Sequence, residues 1–353
     1  MKRSIAYVAL GVLVGLVLAA CSSTGFGEPN DPLASDQYAI EQHGMVAAWD
    51  RSTGEGVVIA VVDTGIDLNH PEFAGRLVAG YDFVDNDDIP DDLNGHGTHV
   101  SGSAAAIGNN NVGVVGMAPE AKIMPIKVLG EDGSGSTEDV AAGIVWAAEN
   151  GADVINLSLG GSSDLLGRIF AVNGPTNDAI EEATKKGAVV VAAAGNDDTY
   201  LTAYNPDTPV LVVNATNELG EWARFSNFGD PRAVAAAGAR IVSTAPTYPT
   251  TIWPEGTEGY GEISGTSMAS PHVAGIAALL VSTTNTPKDI REIITETASN
   301  PTSDPLLGAG IVQAGEATEE AQQETFGFWL ILAILVIGGG ATIFIAWERN
   351  KNA

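Results

Sequence analysis

Residues 57–65 read Val-Val-Ile-Ala-Val-Val-Asp-Thr-Gly. A short apolar run, mostly β-branched and stopped by a turn signal, suits a strand buried on both faces better than a helix. Such a strand belongs in a parallel sheet, and parallel strands need long crossovers, usually helical. The rest of the chain supplies both. Further apolar strands are predicted over 121–129, 153–157, 188–193 and 210–213. Helical patterns lie among them: one after His96, one over 137–149 with Ser136 and Asp139 spaced as a capping box, and one near 177–186. Two more start near Thr266 and at Pro287, the latter with Thr286 as N-cap. The expected fold is α/β, a three-layer arrangement with a parallel sheet covered by helices on both faces. Residues 244–261, rich in Thr, Pro, Tyr and Gly, are expected as a surface loop.

The strand 57–62 delivers Asp63 to the carboxyl edge of the sheet, where open α/β sheets bind ligands. Two other strings place polar groups at helix starts: Asn94-Gly95-His96-Gly97-Thr98-His99 and Gly265-Thr266-Ser267-Met268-Ala269. A hydroxyl is a poor nucleophile until a base takes its proton. An imidazole base needs a carboxylate to fix its tautomer and stabilise its charged form. Asp63, His96 and Ser267 are therefore a candidate triad. His99 makes a His-x-x-His spacing with His96, but no glutamate accompanies it as a zinc protease would need. His99 and His272 are read as packed residues.

Residues 265–275 continue as Gly-Thr-Ser-Met-Ala-Ser-Pro-His-Val-Ala-Gly, and residues 190–196 read Val-Val-Ala-Ala-Ala-Gly-Asn. Taken together, these strings resemble the subtilisin-type serine proteases, the subtilase family, in their thermitase-like form. The resemblance covers about residues 29–315, and the order Asp, His, Ser is the one that family uses. It implies a serine endopeptidase working through an acyl-enzyme. Ser267 would be the nucleophile, His96 the general base and acid, Asp63 the orienting carboxylate and Asn196 the oxyanion donor, with the Ser267 N–H as second donor. It also implies that an extended peptide or protein substrate pairs with Ser158-Leu159-Gly160 on one side and with Gly133 and Gly135 on the other. The loop after Asn196 departs from the relatives. Asp197 is expected near the rim of the P1 pocket, where an acidic field favours basic residues. The alternative reading is a non-catalytic anchored binding protein that keeps a protease shell. Nothing in the sequence favours a maturation transpeptidase.

Residues 82–92 place six carboxylates in eleven positions. Crowded carboxylates repel unless solvated or bridged by a cation, and both readings stay open on the residues alone. The resemblance implies Ca2+ here, with Asp82, Asp85, Asp87 and Asp91 as side-chain ligands and Ile89 lending a carbonyl. A second calcium site is implied at Asp31, Glu72 and Asn110, with the carbonyls of Ile107, Val112 and Val114. Glu72 stands there where the relatives carry Asp.

The ends address a membrane. Lys2 and Arg3 precede an apolar run over 5–18, then Ala19-Ala20-Cys21, which resembles a bacterial lipobox. A signal peptide over 1–20 and a lipid on Cys21 are expected, followed by a tether and the start of the core over 21–36. The peptidase domain is expected over 37–315 and an acidic tether over 316–325. Residues 326–347 are apolar and long enough to span a bilayer as a transmembrane helix, which takes about 20 residues. Phe326, Phe328, Trp329 and Trp347 mark its interfaces, and Arg349 and Lys351 place the tail 348–353 in the cytoplasm. The expected setting is the plasma membrane, with the catalytic part extracytoplasmic. The tether after Cys21 is short, so folding without a prodomain is expected. Lys plus Arg total 16 against 44 Asp plus Glu, a net charge of -28, which argues against a nucleic-acid partner. Cys21 is the sole cysteine, so neither an internal disulfide nor a thiolate metal cluster can form. Oligomeric state is not legible.

Overall fold

The computed structural model describes residues 24–159, 174–200, 204–282 and 286–325 of the 353-residue chain. Cys21, Gly160 and the run 326–347 lie outside these residues, and with them the expected lipidation, one substrate-edge position and the membrane span. Among the described residues no helix is long and apolar enough to cross a membrane.

Short helices α1 (Ala39–Gln42) and α2 (Met45–Trp49) lead to β1 (Val58–Asp63). There follow β2 (Tyr81–Asp82), α3 (His96–Ala105), β3 (Lys122–Lys127), α4 (Thr137–Glu149), β4 (Val154–Leu157), α5 (Pro175–Lys185), β5 (Val189–Ala193), β6 (Val210–Thr216) and β7 (Ala233–Ala237). A hairpin of β8 (Ile241–Thr244) and β9 (Tyr260–Ile263) precedes α6 (Thr266–Val281) and α7 (Pro287–Glu296). Seven strands form one sheet in the order β2-β3-β1-β4-β5-β6-β7, and every neighbouring pair is parallel.

The apolar run of β1 has its reason in this arrangement. Ile59 and Val61 enter the core layer shared with α3, α6 and α7. Ala60 and Val62 enter the opposite layer, shared with α4 and α5. A strand covered on both faces cannot alternate with polar residues. Several elements go beyond the sequence expectation, β7 and the β8–β9 hairpin among them. β7 is mostly alanine, which carries little strand preference, and forms because it pairs with β6. The ends of the expected loop 244–261 belong to the β8–β9 hairpin.

Both segments that flank the domain are docked on it. Thr24 N donates to the Asp50 carbonyl at 3.0 Å, and the Phe26 ring packs 5.1 Å from that of Trp49, so the chain is pinned to the body well before 36. Residues 316–325 are helical rather than a loose acidic tether. Ala317 and Ala321 are fully buried, which one acidic face does not prevent when the other face is small and apolar.

Candidate active site

β1 ends at Asp63, whose carboxylate is fully buried. Oδ1 accepts the Thr64 N–H at 2.8 Å and the His96 Nδ1–H at 2.7 Å. A carboxylate can only accept, so the contact keeps the proton on Nδ1 and leaves Nε2 with a lone pair. The His96 side chain is 21% exposed against 0% for Asp63, so only its outer edge meets solvent. Burial alone would lower His96. The charge and hydrogen bond of Asp63, then the charge of Asp92, outweigh it and hold the imidazole above the ordinary histidine range.

Asp92 enters the sequence reading only as one carboxylate of the acidic string 82–92, yet it organises the start of α3. Its buried carboxylate accepts from Thr64 Oγ1 at 2.8 Å, Asn94 N at 3.1 Å, Gly95 N at 2.7 Å, Thr98 N at 2.8 Å and Thr98 Oγ1 at 2.7 Å. It thereby ties the end of β1 to the first turn of α3 and satisfies N–H groups that a helix start leaves free.

Ser267 stands in the first turn of α6, a helix buried everywhere except at Ser267 and Val281. Its Oγ donates to the Ser158 carbonyl at 3.2 Å, and its own carbonyl accepts from Ser158 Oγ at 2.7 Å. Pro271 explains the second contact. It has no N–H to give to the carbonyl four residues earlier, so the Ser267 carbonyl stays available. Among the described residues, hydrogen bonds pair His96 with Asp63 and Ser267 with Ser158, and none joins Ser267 to His96. Such catalytic contacts are often long before substrate binds.

Asn196 follows β5 and is exposed. Its Oδ1 accepts from Thr266 N at 2.8 Å and Thr266 Oγ1 at 3.0 Å. With the oxygen so occupied, the Nδ2 hydrogens are turned out as donors. A Cβ on Gly265 would lie 3.5 Å from Asn196 Nδ2 and 3.6 Å from Ser267 N, so the two donors share that side of Gly265. Of the substrate-edge residues, Ser158 is buried and Leu159 half-buried, whereas Gly133 and Gly135 lie in an exposed loop. That loop is tied to the His96 turn by Asn94 Nδ2, which donates to the Glu131 carbonyl at 2.7 Å. His99 Nε2 donates to the Ile241 carbonyl at 3.0 Å and His272 Nδ1 to the Ala237 carbonyl at 2.9 Å. Both are packing residues, and burial pushes both down to about 3.

Around loop 107–114 the expected ligand side chains meet. Asp31 accepts from Asn109 N at 2.8 Å and Asn110 N at 3.1 Å, and Asn110 Nδ2 donates to Glu72 Oε2 at 3.0 Å. Positive φ at Asn109, Asn111 and Gly113 winds this loop tightly. Glu72 is fully buried and also accepts from Val114 N and Tyr260 OH, both at 3.0 Å. Burial pushes its carboxyl up to about 7 against those donors, and the charge of Asp31 adds to the rise. Among the described residues no Lys or Arg pairs with Asp31 or Glu72. Two buried carboxylates without a cationic side chain make a donor set that suits calcium.

Loop 82–92 corrects the expectation. Lys127, 2% exposed, pairs in register with Asp63 at the end of β3. Its Nζ lies 3.1 Å from Asp82 Oδ2, 3.4 Å from Asp91 Oδ1 and 3.8 Å from Asp85 Oδ2. Asp87 turns to accept Ile89 N at 2.9 Å, and the Ile89 carbonyl accepts Asp91 N at 2.8 Å. An ammonium thus takes the place expected for an ion, and a doubly charged cation beside it would be repelled. As arranged, Asp82, Asp85, Asp87, Ile89 and Asp91 do not fit calcium. Among the described residues no group of three or more His, Cys, Asp or Glu is placed to hold a metal.

The family model described as "Subtilase family" matches residues 54–327. Thermitase of Thermoactinomyces vulgaris is 43% identical over 284 residues, covering 80% of this chain and 94% of that protein. A thermophilic serine proteinase of a Bacillus species is 43% identical over 286 residues, covering 80% and 65%. Among solved structures, a protease of Pseudoalteromonas arctica superposes with a TM-score of 0.73 at 36% identity, over 83% of this chain and 99% of that one. With its parallel sheet and its matched length, the chain belongs to the subtilase family and is a serine endopeptidase, a hydrolase of peptide bonds.

Proposed function

We propose that the chain cleaves peptide bonds through an acyl-enzyme, with Ser267 attacking the carbonyl carbon. His96 takes the hydroxyl proton and returns it to the leaving amine, while Asp63 holds the tautomer that makes this work. The observation that carries this reading is the 2.7 Å contact from His96 Nδ1 to Asp63 at the carboxyl end of β1. Asn196 Nδ2 and the Ser267 N–H receive the oxyanion, and their shared position beside Gly265 supports that role. The peptide lies extended between the Ser158–Leu159–Gly160 side and the Gly133–Gly135 edge, held by main-chain bonds that are blind to sequence. Asp31, Glu72 and Asn110, with the carbonyls of Ile107, Val112 and Val114, would hold one calcium ion. Its charge there compensates buried carboxylates and stiffens the loop.

The domain works at the outer face of the plasma membrane, held by a lipid on Cys21 and by a transmembrane helix over 326–347. The lipobox-like string, the apolar run and the basic tail support this. A fluorophosphonate probe, which reacts with activated serines, tests the chemistry. Wild type should label and Ser267→Ala should not; equal labelling of the two overturns the assignment. For the setting, membrane fractions should retain wild type, whereas a chain carrying Cys21→Ser and ending at 325 should be released.

A further inference from the structure

Residues 245–259, expected from the sequence as a surface loop, pack against the turn that carries His96. Thr251 N donates to the Leu93 carbonyl at 3.2 Å and Ile252 N to the Asn94 carbonyl at 3.0 Å. Tyr248 OH donates to the Asp92 carbonyl at 3.1 Å. Thr247 gives both its N–H, at 3.0 Å, and its hydroxyl, at 2.7 Å, to Asp67 Oδ2. Asp67 is itself buried, with its N–H on Thr98 Oγ1 at 2.9 Å. Trp253 sits at the centre of this contact. A Cβ on Gly95 would lie 2.7 Å from its ring, and a Cβ on Gly261 would also lie 2.7 Å from it. The indole stacks on the buried His99 ring at 6.2 Å and 21°.

Gly95, at φ 109, is the residue before His96, and Gly261 lies in β9, the strand that runs on to Ser267. One aromatic side chain therefore fills the gap between the backbone leading to the imidazole and the backbone leading to the hydroxyl. No hydrogen bond joins His96 to Ser267 directly, so their separation is set by packing: by α3 against α6, and at the outer end by what spaces those two backbones. We propose that Trp253 is a positioning residue: wedged between Gly95 and Gly261, and held by the bonds from 248–252, it sets the distance from His96 to Ser267. This rests on reading His96 as base and Ser267 as nucleophile. A tryptophan that only packed would change stability when trimmed and leave turnover per folded molecule untouched.

Steady-state kinetics on a peptide substrate test this with Trp253→Ala and Trp253→Phe, well below each variant's unfolding temperature. Ile290→Ala, in the buried face of α7 and remote from these contacts, controls for lost stability. Trp253→Ala should lower kcat roughly 10- to 100-fold, as displacements near an ångström do, with KM within about threefold of wild type. Trp253→Phe should recover most of kcat, and Ile290→Ala should keep all of it. Fluorophosphonate labelling should slow by the same factor as kcat, because it needs the same pair. Wild-type kcat in Trp253→Ala, or a loss confined to KM, overturns the proposal. Should Trp253→Ala not accumulate folded, Tyr248→Phe decides. A kcat lowered about threefold supports the proposal and an unchanged kcat overturns it. Failure of the underlying reading looks different, since wild type and Ser267→Ala would then label alike.

Discussion

Loop 107–114, with Asp31 and Glu72, and loop 82–92 face the same difficulty, carboxylates crowded together with some of them buried in each. In the first, the buried Glu72 is met only by neutral donors, Val114 N, Asn110 Nδ2 and Tyr260 OH, and its carboxyl is pushed up to about 7 by burial. In the second, a buried ammonium from β3 lies among Asp82, Asp85 and Asp91. The string with more aspartates is thus the one that brings its own counter-charge, and the string with fewer is the one left wanting a cation. Density of acidic residues says that a positive charge is needed. Which charge supplies it depends on a side chain about 40 residues away that the string itself does not reveal.

The contrast is broken most severely by removing the lysine. Lys127→Met leaves Asp82 buried without a cation, and losing one partner of a buried pair costs about 3–5 kcal/mol. Urea unfolding measures it, and added calcium should restore part of the loss, because the second loop then resembles the first. A midpoint equal to wild type would mean that Lys127 is not what holds the loop. Next in size is chelation. A calcium ion present at a hundred times its dissociation constant contributes about 2.7 kcal/mol, so removing it from wild type should cost about that much. Glu72→Gln should abolish the calcium response, whereas variants of loop 82–92 should keep it. The reverse pattern would exchange the roles of the loops.

Acid provides a third test, independent of both loops. Burial lowers His43 to about 4 and His99 and His272 to about 3. The unfolded chain binds protons near pH 6.5 that the folded chain refuses. Their stabilisation is therefore complete above that pH and is lost as pH falls toward the folded values. Between pH 7 and pH 6 the three together should cost about 2 kcal/mol, with or without calcium. Thermal unfolding across that range checks it. Glu72 works the other way, since a carboxyl raised by burial gains stability on protonation as pH falls, so an acid gain that appeared only after chelation would be its signature. The smallest change is Asp85→Asn. This carboxylate is 66% exposed and 3.8 Å from Lys127, so its removal should alter stability by less than about 0.5 kcal/mol in the same urea assay.

β1 and β3 through β6 were legible because apolar runs bounded by turn signals leave few alternatives to a doubly covered strand. Asp63, His96 and Ser267 were legible because each sits at a strand end or helix start that its own neighbours define. What escaped the sequence depends on segments far away along the chain. Lys127 reads as the polar end of a strand, and only the fold brings Asp82 to it. Thr266 looks like part of a helix start, yet its N–H and hydroxyl aim the Asn196 amide. Trp253 sits in a stretch with no periodicity, so nothing in its neighbours announces that it spaces Gly95 from Gly261. The lysine closing a strand with an apolar interior, beside a chain with so many aspartates, was the one signal available for the second loop.

α6 is buried along its whole length except at Ser267 and Val281, and it packs on β4, β5 and β6 as well as on α3. It cannot dock until those strands have paired, and every pairing in the sheet joins segments well separated in sequence. Parallel, non-local pairing of this kind is slow. On the proposed mechanism, hydrolytic power therefore arises in one late step, and a chain short of that step is inert and at the same time extended enough to be cut. Self-destruction in a population of this protein then needs one finished molecule and one unfinished one. Its rate should follow the product of the two, fall with dilution, and peak near the midpoint of unfolding, where neither is scarce.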